Sequence, residues 1–267
     1  MTLATPGTYI PNRNDARFIG LDFSSNNGLI DFGKTRLADP RPRFLMFRTG
    51  ISWGYKDKYF RLFWAGAEPW FPRSPYHVLY PMEPIAAQVK NFMSMFPDKD
   101  FGEGPIVNDC ELIHGATRHQ LSNACEAFSK ALEDATGREV MVYARYSFVR
   151  DYMEFQSWME RRRWIMATYI DGQKYPPVRE WSTGPEGAYA YDSRLPVAML
   201  QTGDKGDGIY YGATSKQVDT DRWLLSEEEF KRTFSQPAQP QPEPAPVIGD
   251  VEKLDRLWQA HPELHGA

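Results

Sequence analysis

The segment Ile106-Val107-Asn108-Asp109-Cys110-Glu111-Leu112 carries two acids in an otherwise largely apolar run. Read as a strand, it sends Asp109 and Glu111 out of one face and Asn108 and Cys110 out of the other, because side chains alternate with period two. Like charge and lost hydration then raise one carboxyl above its neighbour, so that one stays protonated while the other ionises. Cleavage of a glycosidic bond needs that division of labour. The competing reading is a strand end reaching solvent with two surface acids, since Asp-x-Glu is short and common. Asp22 adds weight to the first reading: it lies in the apolar run Ile19-Gly20-Leu21-Asp22-Phe23, and in a barrel the C-terminal strand ends converge on the active site. Alone, Asp22 reads better as an Asx-turn opening Ser24-Ser25-Asn26-Asn27-Gly28. Asp219, between Val218 and Thr220, is a further acid near the last strand, with a turn or helix cap as its alternative. Tyr76 and Tyr169 are candidates to stack on a sugar or donate a hydroxyl, with core packing an equal alternative. His77, a single imidazole in an apolar strand, reads as a hydrogen-bonded core residue rather than a base.

These residues need a frame, and the apolar patterning supplies one. Strand-like runs at 18–23, 44–48, 76–80, 106–112, 140–143, 164–169 and 197–201 alternate with helix-like segments, which is the pattern of parallel βαβ units. Seven or eight such strands suggest a closed barrel. Ile85, Val89, Phe92, Met93 and Phe96 share one helical face, and Leu121, Cys125, Phe128, Leu132 and Ala135 share another. Thr117 with Gln120 forms a capping box for the second helix and Gly137 ends it.

A 267-residue chain accommodates one barrel of roughly 200–250 residues and a short appendage. Its net charge of -4 argues against a nucleic-acid partner, because no basic excess exists to neutralise phosphates. The run Arg161-Arg162-Arg163 reads as a solvated helix end. Eight Trp, within 14% aromatic residues, suit a protein that stacks on sugar rings, although most of these aromatics are expected in the core. Cys110 and Cys125 are too few for a disulfide framework and are expected reduced and buried. No His/Cys/carboxylate spacing and no Gly-rich phosphate loop implies a cofactor or metal. Residues 1–17 read as an N-terminal extension with no apolar signal core, and no later segment is long and apolar enough to span a bilayer, so synthesis in the cytoplasm without a membrane partner is expected. A barrel over 18–234 is followed by a Pro-rich linker over 235–248, extended by alternate prolines. Residues 249–267 hold a short helix with Val251, Leu254, Leu257 and Trp258 on one face, which would dock on the barrel, self-associate or bind a partner.

In order along the chain, Phe18-Ile19-Gly20-Leu21-Asp22-Phe23-Ser24 with Ile30-Asp31-Phe32, Phe47-Arg48-Thr49-Gly50, Asp57 and Phe60, Tyr76-His77-Val78, Asp109-Cys110-Glu111, Val142-Tyr143, Trp164 to Tyr169, Gln201 and Val218-Asp219-Thr220-Asp221-Arg222-Trp223 resemble the blocks of the glycoside hydrolase family 25 muramidases. Each block is weak; their shared order over about 18–223 is far more specific. The resemblance implies a flattened TIM-like α/β barrel of eight strands with fewer than eight helices. It also implies hydrolysis of the β-1,4 bond between N-acetylmuramic acid and N-acetylglucosamine in peptidoglycan, by a lysozyme or phage endolysin that reaches the wall after lysis or on a particle. By carry-over Glu111 is the general acid, Asp109 orients the substrate N-acetyl group or stabilises developing charge, and Asp22 and Asp219 complete an acidic floor. The departures are Ser25-Asn26-Asn27 where the family's loop usually holds a His, Phe32 for a Trp, Val78-Leu79-Tyr80 after the Tyr-His pair, and Thr202-Gly203 after Gln201. They point to altered subsites around four retained acids. Two other readings stay open: a carbohydrate-binding or virion structural protein on the same barrel, which the intact acids oppose, and a chitinase-like enzyme, whose upstream acids are missing between Gly102 and Glu111.

Overall fold

The computed structural model describes residues 19–167, 169 and 194–235; the readings made for the N-terminal extension, the Pro-rich linker and the C-terminal helix lie outside them. Eight strands close a barrel: β1 (Ile19–Phe23), β2 (Phe44–Ile51), β4 (Arg73–Val78), β5 (Ile106–Asp109), β6 (Val140–Arg145), β7 (Trp164–Ala167), β8 (Val197–Asp207) and β9 (Gln217–Trp223). The order runs β1-β2-β4-β5-β6-β7-β8-β9 and returns to β1, while the two-residue β3 (Tyr55–Lys56) folds back on the end of β2. Every pairing from β1 to β8 around the ring is parallel. β9 runs antiparallel to both β8 and β1 and closes the ring, a departure from the all-parallel pattern read from the sequence. Its text, Gln-Val-Asp-Thr-Asp-Arg-Trp, puts acids rather than aliphatics at two of its inward positions, which hides it from a hydrophobic-run reading.

Six α-helices are present among the described residues: α1 (Phe32–Leu37), α2 (Phe60–Ala67), α3 (Ile85–Met93), α4 (Arg118–Thr136), α5 (Tyr146–Tyr152) and α6 (Glu227–Phe234). The described residues therefore form a flattened TIM-like barrel with fewer than eight helices. α4 begins at the Thr117–Gln120 capping box and stops at Gly137 in the left-handed region, as its sequence predicts. Leu121, Cys125, Phe128 and Leu132 face the barrel; Ala135 is exposed and Thr136 takes the buried position instead. Asn108 points outward from β5 and donates to the Ser129 hydroxyl (2.9 Å) and the Cys125 carbonyl (3.1 Å), which ties strand to helix. Both cysteines are free and buried, as expected. Arg162 and Arg163 are not a solvated helix end: they follow a short 3-10 turn and pair with Glu133 and Glu139.

The core has two parts. One lies between the barrel wall and its helices; the other fills the barrel interior with Phe44, Met46, Val107, Met141, Ile165, Met199 and Trp223. Phe230 and Phe234 of α6 stopper the N-terminal end of the barrel, with Phe234 4.8 Å from Phe44 and 5.7 Å from Trp223 between ring centroids. The polar cleft can open only at the other end. Gly20 makes room for this packing: a Cβ there would lie 2.1 Å from the Phe44 ring. Gly20→Ala is expected to cost roughly 1–3 kcal/mol, as overpacking does; thermal melting would check it, and an unchanged Tm would contradict the stated contact.

Candidate active site

Strand register decides which side chains meet. Asp22 and Asp219 are direct partners across the β1–β9 pair, so both carboxylates leave the same face. Arg48 is level with Tyr76, Val78 with Asp109, Asp109 with Tyr143 and Gln201 with Asp221. Every one of these inward positions lies at or near the end of the barrel away from α6. They surround a cavity of about 460 Å3 lined by Asp22, Asp109, Glu111, Asp219, Tyr76, Tyr143, Tyr169, Gln201 and Arg48, among others. All six site residues singled out in the sequence are thus brought together.

Two local expectations need correcting. The strand expected to run to Leu112 ends at Asp109, because the Cys110 amide, bonding the Tyr143 carbonyl at 2.9 Å, makes a final ladder bond before the chain turns through His114 (φ 43°) and Gly115 (φ 78°) toward α4. Glu111 therefore stands on the rim with its side chain open to solvent, above a buried Asp109, although both face the cavity. The strand expected from Tyr76 begins earlier, at Arg73, and ends at Val78. Tyr76 lines the cavity and also packs on the interior core.

The acids perturb one another. Burial, with the Glu111 charge, raises the Asp22 carboxyl to about 6, against the hydrogen bonds of Gln201 and Tyr76 and the Arg48 charge that favour ionisation. Burial and the charges of Asp22 and Asp204 raise Asp219 to about 8. Asp109 is pushed well above the usual range by burial and by Glu111 and Asp22, and its Oδ1 is buried without a hydrogen-bond partner. Glu111 is raised by partial desolvation and drawn back by the Arg145 charge. Such a cluster gives up its protons one at a time over a wide pH range.

A polar collar holds the floor in place. Gln201 donates from Nε2 to Asp22 Oδ2 (2.8 Å) and accepts at Oε1 from the hydroxyls of Tyr143 (2.9 Å) and Tyr169. Arg48 is fixed by Asp57 through Nε (3.0 Å), and Asp57 also accepts the Ser25 amide (2.9 Å). Among the described residues no group of three or more His, Cys, Asp or Glu is disposed to hold a metal ion. Arg48, Tyr143, Gln201 and Asp221 were not singled out as site residues; the period-two inward positions of their strands are the signal that would have found them. His77 is buried and hydrogen-bonded on both ring nitrogens, as its sequence context indicates.

A barrel whose strand ends present several mutually perturbed carboxyls in one open cleft has the groups that cleavage of a glycosidic bond requires. The family model described as Glycosyl hydrolases family 25 matches residues 21–198. Among solved structures, a family 25 glycosyl hydrolase from Bacillus anthracis superposes with a TM-score of 0.67 at 17% identity, covering 86% of this chain and 100% of that one. A bacterial lysozyme from Streptomyces coelicolor gives 0.63 at 18% identity (82% and 97%), and the catalytic domain of an endolysin from a bacteriophage of Listeria monocytogenes gives 0.61 at 15% (82% and 98%). The comparison with curated proteins gave no match. The chain belongs to glycosyl hydrolase family 25. It is accordingly a glycoside hydrolase of the muramidase (lysozyme) class, with peptidoglycan as its substrate.

Proposed function

We propose that the protein hydrolyses the β-1,4 bond between N-acetylmuramic acid and N-acetylglucosamine, with Glu111 as the general acid. The observation that carries this reading is the vertical division of the carboxyls: Glu111 on the rim, reachable from solvent, and Asp22, Asp109 and Asp219 on the floor beneath it. A glycan strand laid across the mouth presents its bridging oxygen to the rim acid, which protonates the departing oxygen. Positive charge then develops on the sugar ring, facing the floor. Asp22, raised only to about 6 where Asp219 is raised to about 8, supplies negative charge there; Asp109 orients the N-acetyl group; Asp219 shares the remaining proton load. Tyr76, Tyr143 and Tyr169 frame the ring between hydroxyls. This reading includes access to the wall by lysis or on a particle. The C-terminal segment 249–267 would serve as a docking or association element.

The test is a digest of purified peptidoglycan followed by borohydride reduction and mass analysis. Muramic acid at the new reducing ends supports the proposal; glucosamine at those ends would overturn it. Binding to several wall types with no release would favour a carbohydrate-binding role.

A further inference from the structure

The β2–β3 turn is held with more care than a surface turn needs. Ser52 is buried and sits at φ 53°, a left-handed conformation that disfavours a non-glycine residue. Its amide donates to the Val78 carbonyl (2.9 Å), and its own carbonyl accepts from His77 Nε2 (2.8 Å) and Asn91 Nδ2 (2.9 Å). Asn91 also donates to the Tyr55 carbonyl (2.9 Å), and Thr49 contacts His77 Nδ1 at 2.8 Å. Two buried polar side chains that the cleavage chemistry does not use, His77 and Asn91, therefore converge on one exposed turn, with Thr49 behind His77.

That turn displays aromatic surface. Trp53 is 59% exposed and Tyr55 44% exposed, and the Trp53 indole has no ring or hydrogen-bond partner among the described residues. The turn is continuous with the cleft. The Tyr55 hydroxyl lies 3.2 Å from Ser25 Oγ, and Ser24 and Asn26 on either side of Ser25 line the cavity. Arg48, another lining residue, bonds Ser25 Oγ at 3.3 Å and stacks over the Tyr55 ring at 5.6 Å. The firmly held backbone of this turn thus sets an exposed indole and an exposed phenol ring beside the cleft, faces on which a sugar ring can stack.

We infer that the Trp53–Tyr55 turn is an additional sugar subsite, taking an N-acetylhexosamine unit of the glycan strand beyond those held over the carboxyls. A pyranose presents an axial C–H face that suits the indole, and its N-acetyl and hydroxyl groups reach Ser25, Asn26 and the Tyr55 hydroxyl. The glycan is the occupant because the turn extends the path of the chain already lying in the cleft. His77 and Asn91 act as positioning residues that keep the platform at a fixed height. The inference rests on the muramidase reading for the identity of the sugar.

Calorimetric titration separates the two. Glu111→Gln protein, which binds without turnover, is titrated with soluble tetrasaccharide and octasaccharide repeats of N-acetylglucosamine and N-acetylmuramic acid. The octasaccharide is expected to bind roughly tenfold tighter, the scale of one aromatic stacking contact. Adding Trp53→Ala should remove that advantage and adding Trp53→Phe should restore most of it, with melting temperatures unchanged for this exposed residue. A length advantage that survives Trp53→Ala overturns the subsite while leaving the muramidase reading intact. Absence of binding by either oligosaccharide overturns both.

Discussion

Glu111→Gln is expected to lower turnover on peptidoglycan by about 10²–10⁴, the range that a positioned general acid contributes. Glutamine keeps the shape and can hydrogen-bond the bridging oxygen, but it has no proton to transfer. Binding should survive, so the loss belongs in kcat rather than KM. Stability should hardly change, because the side chain stands on the rim and is open to solvent. The pH profile of the native enzyme supplies a second readout. Glu111 must be protonated to act, and desolvation holds its carboxyl above the ordinary range, so activity should fall on the alkaline side of the usual glutamate titration. Arg145 pulls the other way, and Arg145→Met should move that limb to higher pH. If Glu111→Gln retained turnover within a few-fold, the proton would have to come from the floor, where Asp109 is the better-buried candidate.

The barrel was legible because seven of its strands announce themselves as apolar runs between amphipathic helices, and because α4 carries a complete start and stop signal. β9 was not legible by the same rule. Asp219 and Asp221 occupy positions that would be aliphatic in an ordinary barrel strand, so the element that closes the fold reads locally as a polar turn. The conflict between local pattern and global fold falls at the site, where such conflicts are expected.

The four acids were readable from type and position, since an acid near the end of an apolar strand is costly without a use. Their arrangement in depth was not. Whether Glu111 continues the strand or leaves it depends on where the ladder to β6 ends, a long-range property that no local spacing encodes. The collar was invisible for the same reason: Gln201 matters because β7, β8, β9 and β1 bring Tyr169, Asp221 and Asp22 to it, across a sequence separation of 179 residues for its bond to Asp22. His77 illustrates the opposite case, since a lone imidazole in an apolar strand correctly reads as structural.

Asp221→Asn is expected to stabilise the protein at neutral pH, raising its melting temperature by several degrees. Asp221 is 1% exposed, both carboxylate oxygens lack a hydrogen-bond partner among the described residues, and burial with the charges of Asp22 and Asp219 raises its carboxyl well above the usual range. Asp22 and Asp219 are raised as well, to about 6 and about 8. Between about pH 4, where unfolded carboxyls lose their protons, and about pH 8, where Asp219 does so in the fold, the folded state holds more protons than the unfolded chain. Stability from this cluster is therefore greatest below about pH 4 and declines as pH rises through that window. The coupling between the acids makes the effect a property of the group. Asparagine matches the protonated form in shape and cannot ionise, so the variant and native proteins should melt together near pH 4 and diverge by several degrees toward pH 8. Parallel melting curves across that range would show that Asp221 carries no such penalty. A gain in stability with a loss of turnover would instead mean that the Asp221 carboxyl beneath Asp22 contributes to catalysis, the exchange of stability for function that catalytic clefts make.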